Sequence, residues 1–179
     1  MPISYNGAEE ITFEVIKILA DNMATELDTL EGEYTGELAL TLEDIQRFYF
    51  GEVEKPPIET GPAVMVIPGN YDIQTRGMAN INADNVPVRI KIIIYLDPNA
   101  KITVGTRNYF TQEILTIKVI RYLKAMRNIL LKKANRSLTG KIDIIEIRGV
   151  KIGKVEVYEN MMCRSGEIEA YCHGSPKSE

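Results

Sequence analysis

One segment, Val88–Leu96, constrains the fold more than any other part of the chain. Its alternate residues from Val88 onward are all apolar and therefore share one face of a strand. On the other face Arg89 and Lys91 are charged, whereas Ile93 and Tyr95 are apolar. The first half of the strand thus has one solvated face, and the second half is apolar on both faces. This pattern predicts a strand of a sheet whose one face is covered along its whole length.

Apolar residues recur at three- and four-residue steps in two parts of the chain, which predicts two amphipathic helices. The first spans Ala8–Leu30, and Asn6 with Glu9 has the spacing of a capping box at its start. The second runs from about Thr111 to Ala134. Their predicted buried stripes are Ile11, Val15, Ile18, Leu19, Met23 and Leu27 in the first helix, and Leu115, Val119, Tyr122, Leu123, Met126 and Leu130 in the second.

The remaining apolar runs predict short strands separated by turns. Residues 100–108 are predicted to be a loop, and Thr41 with Asp44 is predicted to cap a short helical turn. Arg148-Gly149 is expected to be a turn between two strands. Further strands are predicted at 63–67, 71–78, 142–147, 150–158 and about 167–172.

The order helix, strands, helix, strands predicts an α+β fold. We expect a mostly antiparallel sheet, with two long helices packed on one face and a long projecting hairpin. A single domain is predicted over residues 1–172, in which 32–62 is irregular and is a candidate insertion. Residues 173–179 are predicted to be a flexible C-terminal tail.

A small, polar segment at 79–85 separates the second and third predicted strands. Asparagine and aspartate favour turns, because their side chains bond to nearby backbone groups. The segment is therefore predicted to be the tip of the projecting hairpin. Its polar side chains are candidates for contact with a neighbouring subunit, and they are Asn80, Asn82, Asp84 and Asn85.

Charge is distributed unevenly along the chain. Residues 1–60 contain 14 acidic and three basic residues, whereas residues 61–138 contain four acidic and 12 basic residues. The alternatives are two halves that pack together within one chain, contact between neighbouring copies, and nucleic-acid binding by the basic stretch. The overall charge of −4 and the lack of an aromatic-rich basic patch disfavour the last alternative.

The clearest basic feature is a row on the second helix, formed at steps of three by Lys118, Arg121, Lys124 and Arg127. It is a solvated face, or it pairs with the acidic N-terminal region of the same or a neighbouring subunit, or it lines a channel that DNA traverses. If it pairs with a neighbouring subunit, reversing the first three charges to glutamate should disrupt assembly and leave the monomer folded.

Two further features suit contact between copies. Arg89 and Lys91, on the solvated face of the third strand, are candidates for an interface or a lumen. The strands at 63–67 and 167–172 are predicted to be exposed edges to which a neighbouring sheet can add.

The composition argues against most catalytic and metal chemistries. One histidine and two cysteines, Cys163 and Cys172, are too few soft ligands for a structural zinc site. The sequence contains no phosphate-binding glycine loop, no dinucleotide fingerprint and no nucleophile elbow. No apolar run approaches the ~18 residues of a membrane span, and no signal peptide is visible. We therefore expect no enzymatic activity, no metal or cofactor, and no membrane partner.

The order of the elements resembles that of the tail terminator, or tail completion, proteins of long-tailed phages. The likeness covers most of residues 8–172 and is one of pattern, not of an invariant signature. It is carried by the helix Ala8–Leu30, the proline-rich approach Lys55–Glu59, the strand Ala63–Pro68, the return strand Val86–Leu96, the helix at 111–134 and the closing strands, including Gly153–Tyr158.

The resemblance implies a structural virion protein of the tail or neck, assembled in the host cytoplasm. It implies a ring, usually a hexamer, that caps the tail tube, ends tube polymerisation and presents a docking surface for the head connector. The implied partners are further copies of the chain, the tail tube protein, the head–tail connector protein and, in contractile tails, the sheath. DNA would pass through the lumen without specific contact.

Two alternatives to a terminator stay open at this point. One is a related structural protein, such as another head–tail connector, a stopper or a tube-type protein. The other is a small α+β enzyme that acts on an anionic substrate through Arg89, Lys91 or the basic helix, and it requires a concave site with convergent polar groups.

Overall fold

The computed structural model describes residues 7–58, 61–69, 72–76, 81–132, 135 and 142–174. These residues form two α-helices, one short 3-10 helix and eight strands. In chain order the elements are α1 (Ala8–Glu33), the 3-10 helix (Gly36–Leu38), β1 (Arg47–Phe50), β2 (Ala63–Pro68), β3 (Asp72–Arg76), β4 (Ile81–Leu96), β5 (Lys101–Val104), β6 (Arg107–Phe110), α2 (Thr111–Leu131), β7 (Ile142–Tyr158) and β8 (Met161–Gly174).

Six of the strands form one sheet. Five of them lie in the order β1-β2-β4-β8-β7, and β3 pairs with the outer part of β4. β1 runs parallel to β2, and the other pairs in the sheet are antiparallel. β5 and β6 form a separate hairpin between β4 and α2. The predicted α+β fold with a mostly antiparallel sheet is confirmed.

Both helices pack on the same face of the sheet. Their predicted apolar stripes are buried and belong to one core with Val64 and Val66 of β2 and with Val88, Ile90 and Ile92 of β4. The alternation predicted for β4 is therefore confirmed. Because each buried aliphatic side chain contributes roughly 1.5–3 kcal/mol, this layer supplies a large part of the stability.

Gly166 of β8 allows α2 to lie close to the sheet. A Cβ atom at this position would be 2.7 Å from Val119 Cγ1 and 2.7 Å from Leu123 Cδ1. Any larger residue would therefore force the Val119 and Leu123 side chains to move, and the helix with them unless they repack. This close approach fixes α2 over β8, one strand inside the edge formed by β7.

The opposite face of the sheet carries a smaller core. Ala63, Met65 and Ile93 are buried there, and Val53 from the segment after β1 packs against them. The same segment is held by the hydroxyl of Tyr95, which donates to the Pro56 carbonyl oxygen at 3.0 Å. This second cover explains why the far half of β4 is apolar on both faces.

The region 32–62 contains more regular structure than predicted. No helical turn forms at Thr41, and residues 47–50 form β1 instead, with Phe48 paired to Val64 of β2. The prediction of a helical turn is wrong because an aromatic segment gains more from pairing with an existing strand than from one isolated turn of helix. Phe48 packs against the main core, as expected of a partly buried aromatic anchor.

The prediction of a loop at 100–108 is also wrong, because most of this segment lies in the β5–β6 hairpin. Gly105 at the turn has a φ of 61°, in the left-handed region that glycine enters without strain. Tyr109 of β6 is buried, and its hydroxyl donates to the Glu37 carbonyl oxygen. Strands of four residues show too few alternations to be recognised from sequence.

The closing strands form one long hairpin. β7 runs unbroken through Arg148-Gly149, where the register with β8 shifts, so the predicted turn is a bulge-like irregularity. The turn lies instead at Glu159 and Asn160, whose φ angles are 48° and 66°. Two consecutive left-handed residues are what a two-residue turn between antiparallel strands needs.

The projecting hairpin is formed by β3 and β4. Arg76 pairs with Ile81, so β4 begins inside the segment that was predicted to be the tip, and Asn82, Asp84 and Asn85 are strand residues. Asn80 lies outside the described residues. The last pair between β4 and β8 joins Asn85 to His173. Within the described part of the chain, residues 81–84 pair with β3 alone and extend past the main sheet.

Three element boundaries differ slightly from prediction. Gly7 is the N-cap of α1, and its amide donates to Glu10 Oε2 at 3.0 Å, whereas the predicted cap Asn6 lies outside the described residues. α2 ends at Leu131, short of the predicted boundary. β8 continues to Gly174, so the first two residues of the predicted tail belong to a strand, and 175–179 lie outside the described residues.

Candidate assembly surfaces

The basic row of α2 is not a uniformly solvated stripe. Lys118 and Arg121 are only 6% and 3% exposed to solvent. Lys118 Nζ lies 2.8 Å from Glu43 Oε1, in the segment between the 3-10 helix and β1. Neither side chain is therefore accessible to a neighbouring subunit or to DNA in a lumen.

Arg121 is bound to the chain's own backbone. Its guanidinium donates to the carbonyl oxygens of Leu38 and Leu40, with 2.9 Å to the latter, and it stacks 3.9 Å from the ring centre of Tyr34. Burial lowers the pKa of Arg121. Charge-assisted hydrogen bonds to carbonyl oxygens compensate a buried guanidinium for the water that it loses. Arg121 thus fixes an irregular segment onto α2.

Two further lysines join α2 and its C-terminal cap to α1. Lys124 Nζ lies 2.7 Å from Glu33 Oε2, and Lys132 Nζ lies 2.6 Å from Glu26 Oε2. Burial opposes the ionisation of Glu26, but hydrogen bonds from Lys132 and Asn128 outweigh it and lower its pKa. Part of the charge asymmetry is therefore neutralised within one chain, as one of the sequence alternatives predicts.

Arg127 differs from the rest of the row. It is exposed, and it makes no ion pair with any residue that the structure describes. It lies at the rim of an open groove between α2 and β7. The groove is lined by Ile120, Leu123, Lys124, Arg127, Val150 and Ile152.

The groove exists because α2 does not reach the edge of the sheet. Val150 and Ile152 of β7 pair with Ile168 and Gly166 of β8, and therefore lie on the face that the helices cover. They are nevertheless 51% and 41% exposed, and Ile120 of α2 is 47% exposed. These clustered aliphatic side chains make the groove a candidate interaction surface.

A second apolar surface lies at the other end of the sheet. Phe13 of α1 and Phe50 of β1 are 54% and 44% exposed, with ring centroids 4.8 Å apart. Glu9 and Pro68 border the same shallow depression. This surface was not predicted from the sequence, although Phe13 gives a signal, because it is a large aromatic residue outside the apolar stripe of an amphipathic helix.

Among the described residues, the outermost strands of the order β1-β2-β4-β8-β7 are β1 and β7, and β3, which pairs only with β4, has an open side of its own. The predicted edge strands at 63–67 and 167–172 correspond to β2 and β8, and both are interior. β2 lies between β1 and β4, and β8 lies between β4 and β7. The prediction is wrong because β1 was not recognised as a strand and because β7 pairs on the outside of β8.

Arg89 and Lys91 lie together on the face opposite the helices, as their alternation predicts. Lys91 Nζ is 3.2 Å from Glu52 Oε1, and Arg89 is 3.8 Å from both Glu52 and Glu167. Half-exposed ion pairs of this kind contribute about 1 kcal/mol or less. The structure thus separates these two candidates from the basic row of α2, which packs on the other face.

The thiols are not placed for catalysis. Cys163 and Cys172 are free and buried, and burial raises the pKa of Cys172 to about 12, which disfavours a reactive thiolate. The described residues hold no cluster of three His, Cys, Asp or Glu side chains that could bind a metal ion. Within those same ranges neither helix combines the length and apolarity needed to cross a bilayer. No protein-family model matches the chain, and no curated protein matches it significantly.

Proposed function

We propose that this chain is a tail terminator protein of a long-tailed phage. Copies form a ring, a hexamer if the family pattern holds, which caps the head-proximal end of the tail tube, ends tube polymerisation and presents a docking surface to the head connector. The elements on which the resemblance rests occur in the expected order, namely α1, β2, the β3–β4 hairpin, α2 and the β7–β8 hairpin.

The observation that carries this proposal is the difference between β1 and β7, the outermost strands of the order β1-β2-β4-β8-β7. β1 has four residues and is flanked by exposed aromatic side chains, whereas β7 has 17 residues and is flanked by an aliphatic groove. An isologous dimer uses one self-complementary surface. Two unlike surfaces at opposite edges favour head-to-tail contacts, which close into a ring when the rotation between subunits permits it.

The β3–β4 hairpin offers a separate surface for the tube. Residues 81–84 extend past the last pair with β8, so this part of β4 is free of the main sheet within the described chain. In a ring such an extension reaches an adjacent tube subunit while the sheet edges join neighbouring copies. The proposed partners are therefore the tail tube protein below, the head–tail connector above and, in a contractile tail, the sheath.

The proposed location is the tail or neck of the virion, after assembly in the host cytoplasm. DNA would pass through the lumen of the ring without sequence-specific contact. Arg89 and Lys91 are partly exposed cations that pair with Glu52, and they are compatible with such contact. Buried Lys118 and Arg121 are not.

Electron microscopy of tail tubes tests the proposal. The tube protein encoded beside this chain is polymerised alone and with the purified chain. We expect one ring at one end of each tube and shorter tubes when the chain is present. Decoration along the sides of the tube, or mixed stacks, would contradict termination and favour a connector or a tube-type protein.

A matched variant shows which surface contacts the tube. Replacing residues 73–84 by an Asn-Gly turn joins Asp72 to Asn85, which already pair across the hairpin. The main sheet keeps its other pairs, so the variant should fold. We expect it to lose capture by tube ends, whereas unchanged capture would assign the tube contact to another surface.

A further inference from the structure

We infer that copies of this chain join head to tail, with the Phe13–Phe50 surface of one copy seated in the α2–β7 groove of the next. This inference rests on the proposed function, since a ring requires such a contact, and it assigns the contact to particular side chains. The Phe13–Phe50 surface is the aromatic pair with Glu9, and the α2–β7 groove is the aliphatic surface formed by Ile120, Val150 and Ile152.

Both surfaces are apolar, one aromatic and the other aliphatic, and each is bordered by charge of opposite sign. The aromatic pair stands exposed at the β1 edge, with its rings tilted by 40° and their centroids 4.8 Å apart. The groove is open and aliphatic, and it lies at the β7 edge of the same sheet. Aromatic side chains that enter an apolar recess are the usual energetic centre of a protein interface.

Charge at the rims points to a second copy of the chain as the occupant. Glu9 borders the aromatic surface, and Lys124 and Arg127 border the groove. Glu9 and Arg127 are exposed, and neither forms an ion pair with another described residue. Seating the aromatic pair in the groove of another copy brings these opposite charges together at the rim, where they favour encounter and fix orientation.

The placement of both surfaces fits propagation from copy to copy. Each lies on the helix-covered side of the sheet, because Phe50 pairs with Val66 and Ile152 pairs with Gly166, and both partners face the helices. Since the surfaces are at opposite edges, occupying one leaves the other free for the next copy. The contact is therefore heterologous and can close into a ring.

Cysteine crosslinking of full-length chains tests this contact even when association is weak. Glu9→Cys and Arg127→Cys chains are mixed and treated with a short bis-maleimide. We expect a crosslinked pair of 20.2 kDa chains in the mixture and little crosslinking in either variant alone. The native thiols should react slowly, since Cys163 and Cys172 are 4% and 0% exposed.

A matched control places the second cysteine far from the groove. Asn99→Cys lies in the exposed loop before β5. The adjacent Pro98 carbonyl accepts a hydrogen bond from Thr111 at the start of α2, about 24 Å along the helix from Arg127. The Glu9→Cys and Asn99→Cys mixture should crosslink at background level. Equal yields from the two mixtures, or no crosslink in either, would overturn the inference.

Adding one charge to each apolar surface provides the second readout. Phe13→Asp in the Glu9→Cys chain, or Ile152→Asp in the Arg127→Cys chain, should lower the crosslinking rate about tenfold. Both residues are about half exposed, so the variants should keep the circular dichroism of the parent chain. Efficient crosslinking of Glu9→Cys to itself would indicate an isologous contact instead and would contradict the assignment.

The outcomes separate this inference from the terminator role. If the chains crosslink head to tail but do not cap tubes, the assigned contact stands and the terminator role is contradicted. If Ile152→Asp chains still form rings at tube ends, the terminator role stands and the assigned contact is contradicted.

Discussion

α2 and β7 pack side by side, and each contains residues whose surroundings are the reverse of what their polarity predicts. On α2, Lys118 and Arg121 are charged, yet they are buried beneath the segment that leads to β1. On β7, Val150 and Ile152 are aliphatic, yet they are about half exposed. Periodicity identifies which residues share a face of an element, but the segment that packs there determines whether the face is covered.

The two reversals have different energetic consequences. A buried guanidinium is tolerated only where it finds hydrogen-bond acceptors, and Arg121 finds them in the carbonyl oxygens of Leu38 and Leu40. These carbonyls lie at the end of the 3-10 helix and just after it, and the Leu38 carbonyl also accepts from the Leu40 amide at 2.8 Å. In the monomer, the exposure of the aliphatic residues of β7 costs little free energy. It also leaves apolar surface that a partner can cover. Buried charge here serves the fold, whereas the exposed apolar surface is available for the proposed contact between copies.

Reversing charge on α2 should therefore damage folding before it affects assembly, contrary to the expectation from sequence that the monomer would stay folded. Arg121→Glu removes both backbone contacts and buries an unpaired carboxylate. We expect it to lower the free energy of unfolding by about 4 kcal/mol. Urea denaturation followed by circular dichroism measures the change.

Arg127→Glu is the matched control on the same helix. Arg127 is exposed and unpaired among the described residues, so its reversal should change stability by about 0.5 kcal/mol or less. Equal denaturation midpoints for the two variants would show that Arg121 is not held as the structure describes.

The elements that could be predicted from sequence are those whose pattern repeats. The stripes of α1 and α2 and the alternation of β4 each contain several turns or pairs of residues, and all three are confirmed. β1 and the β5–β6 hairpin could not be predicted, because strands of four residues depend on their pairing partners.

The candidate surfaces were less predictable than the fold. The acceptors of Arg121 lie 81 and 83 residues away in the sequence, and no local spacing relates them. The α2–β7 groove likewise depends on where α2 crosses the sheet, and the close contact of Val119 and Leu123 with Gly166 is a long-range feature that the sequence pattern does not reveal. Phe13 alone could have been found, since a phenylalanine outside the apolar stripe needs an explanation.

Glu26 tests the pairing of α1 with α2 through its pH dependence. Its pKa is lowered in the folded state, with hydrogen bonds from Lys132 and Asn128 outweighing the burial that opposes ionisation. A lowered folded-state pKa stabilises the protein above the ordinary value of 4.5, and this stabilisation is lost as the pH falls through the folded-state pKa. Glu26→Gln should therefore lower the free energy of unfolding by about 1 kcal/mol at neutral pH. It should also reduce the further loss of stability as the pH falls into the acid range.

Urea midpoints at neutral and acid pH measure this effect. Asp28→Asn changes an exposed acid on the same helix and is the control. The Glu26 variant and the wild type should converge in stability as the pH falls, whereas the control should parallel the wild type. Parallel curves for Glu26→Gln and the wild type would contradict the proposed pairing.

The smallest expected effect on stability is at an exposed aliphatic residue of β7. Val150→Thr keeps the β-branched shape and removes apolar surface at a position that is 51% exposed. We expect the free energy of unfolding to change by about 0.5 kcal/mol or less. The same variant should slow the crosslinking between Glu9→Cys and Arg127→Cys chains, because the groove becomes less apolar.

Ile168→Thr supplies the contrast, because Ile168 pairs with Val150 across the strands and is fully buried. A hydroxyl at that position has no access to solvent. The variant should therefore lose about 2 kcal/mol or more of stability. Differential scanning calorimetry of both variants measures the difference between two neighbours on one face. If Val150→Thr destabilised the monomer as much as Ile168→Thr does, the groove would be part of the core, and its aliphatic residues would not be reserved for a neighbouring copy.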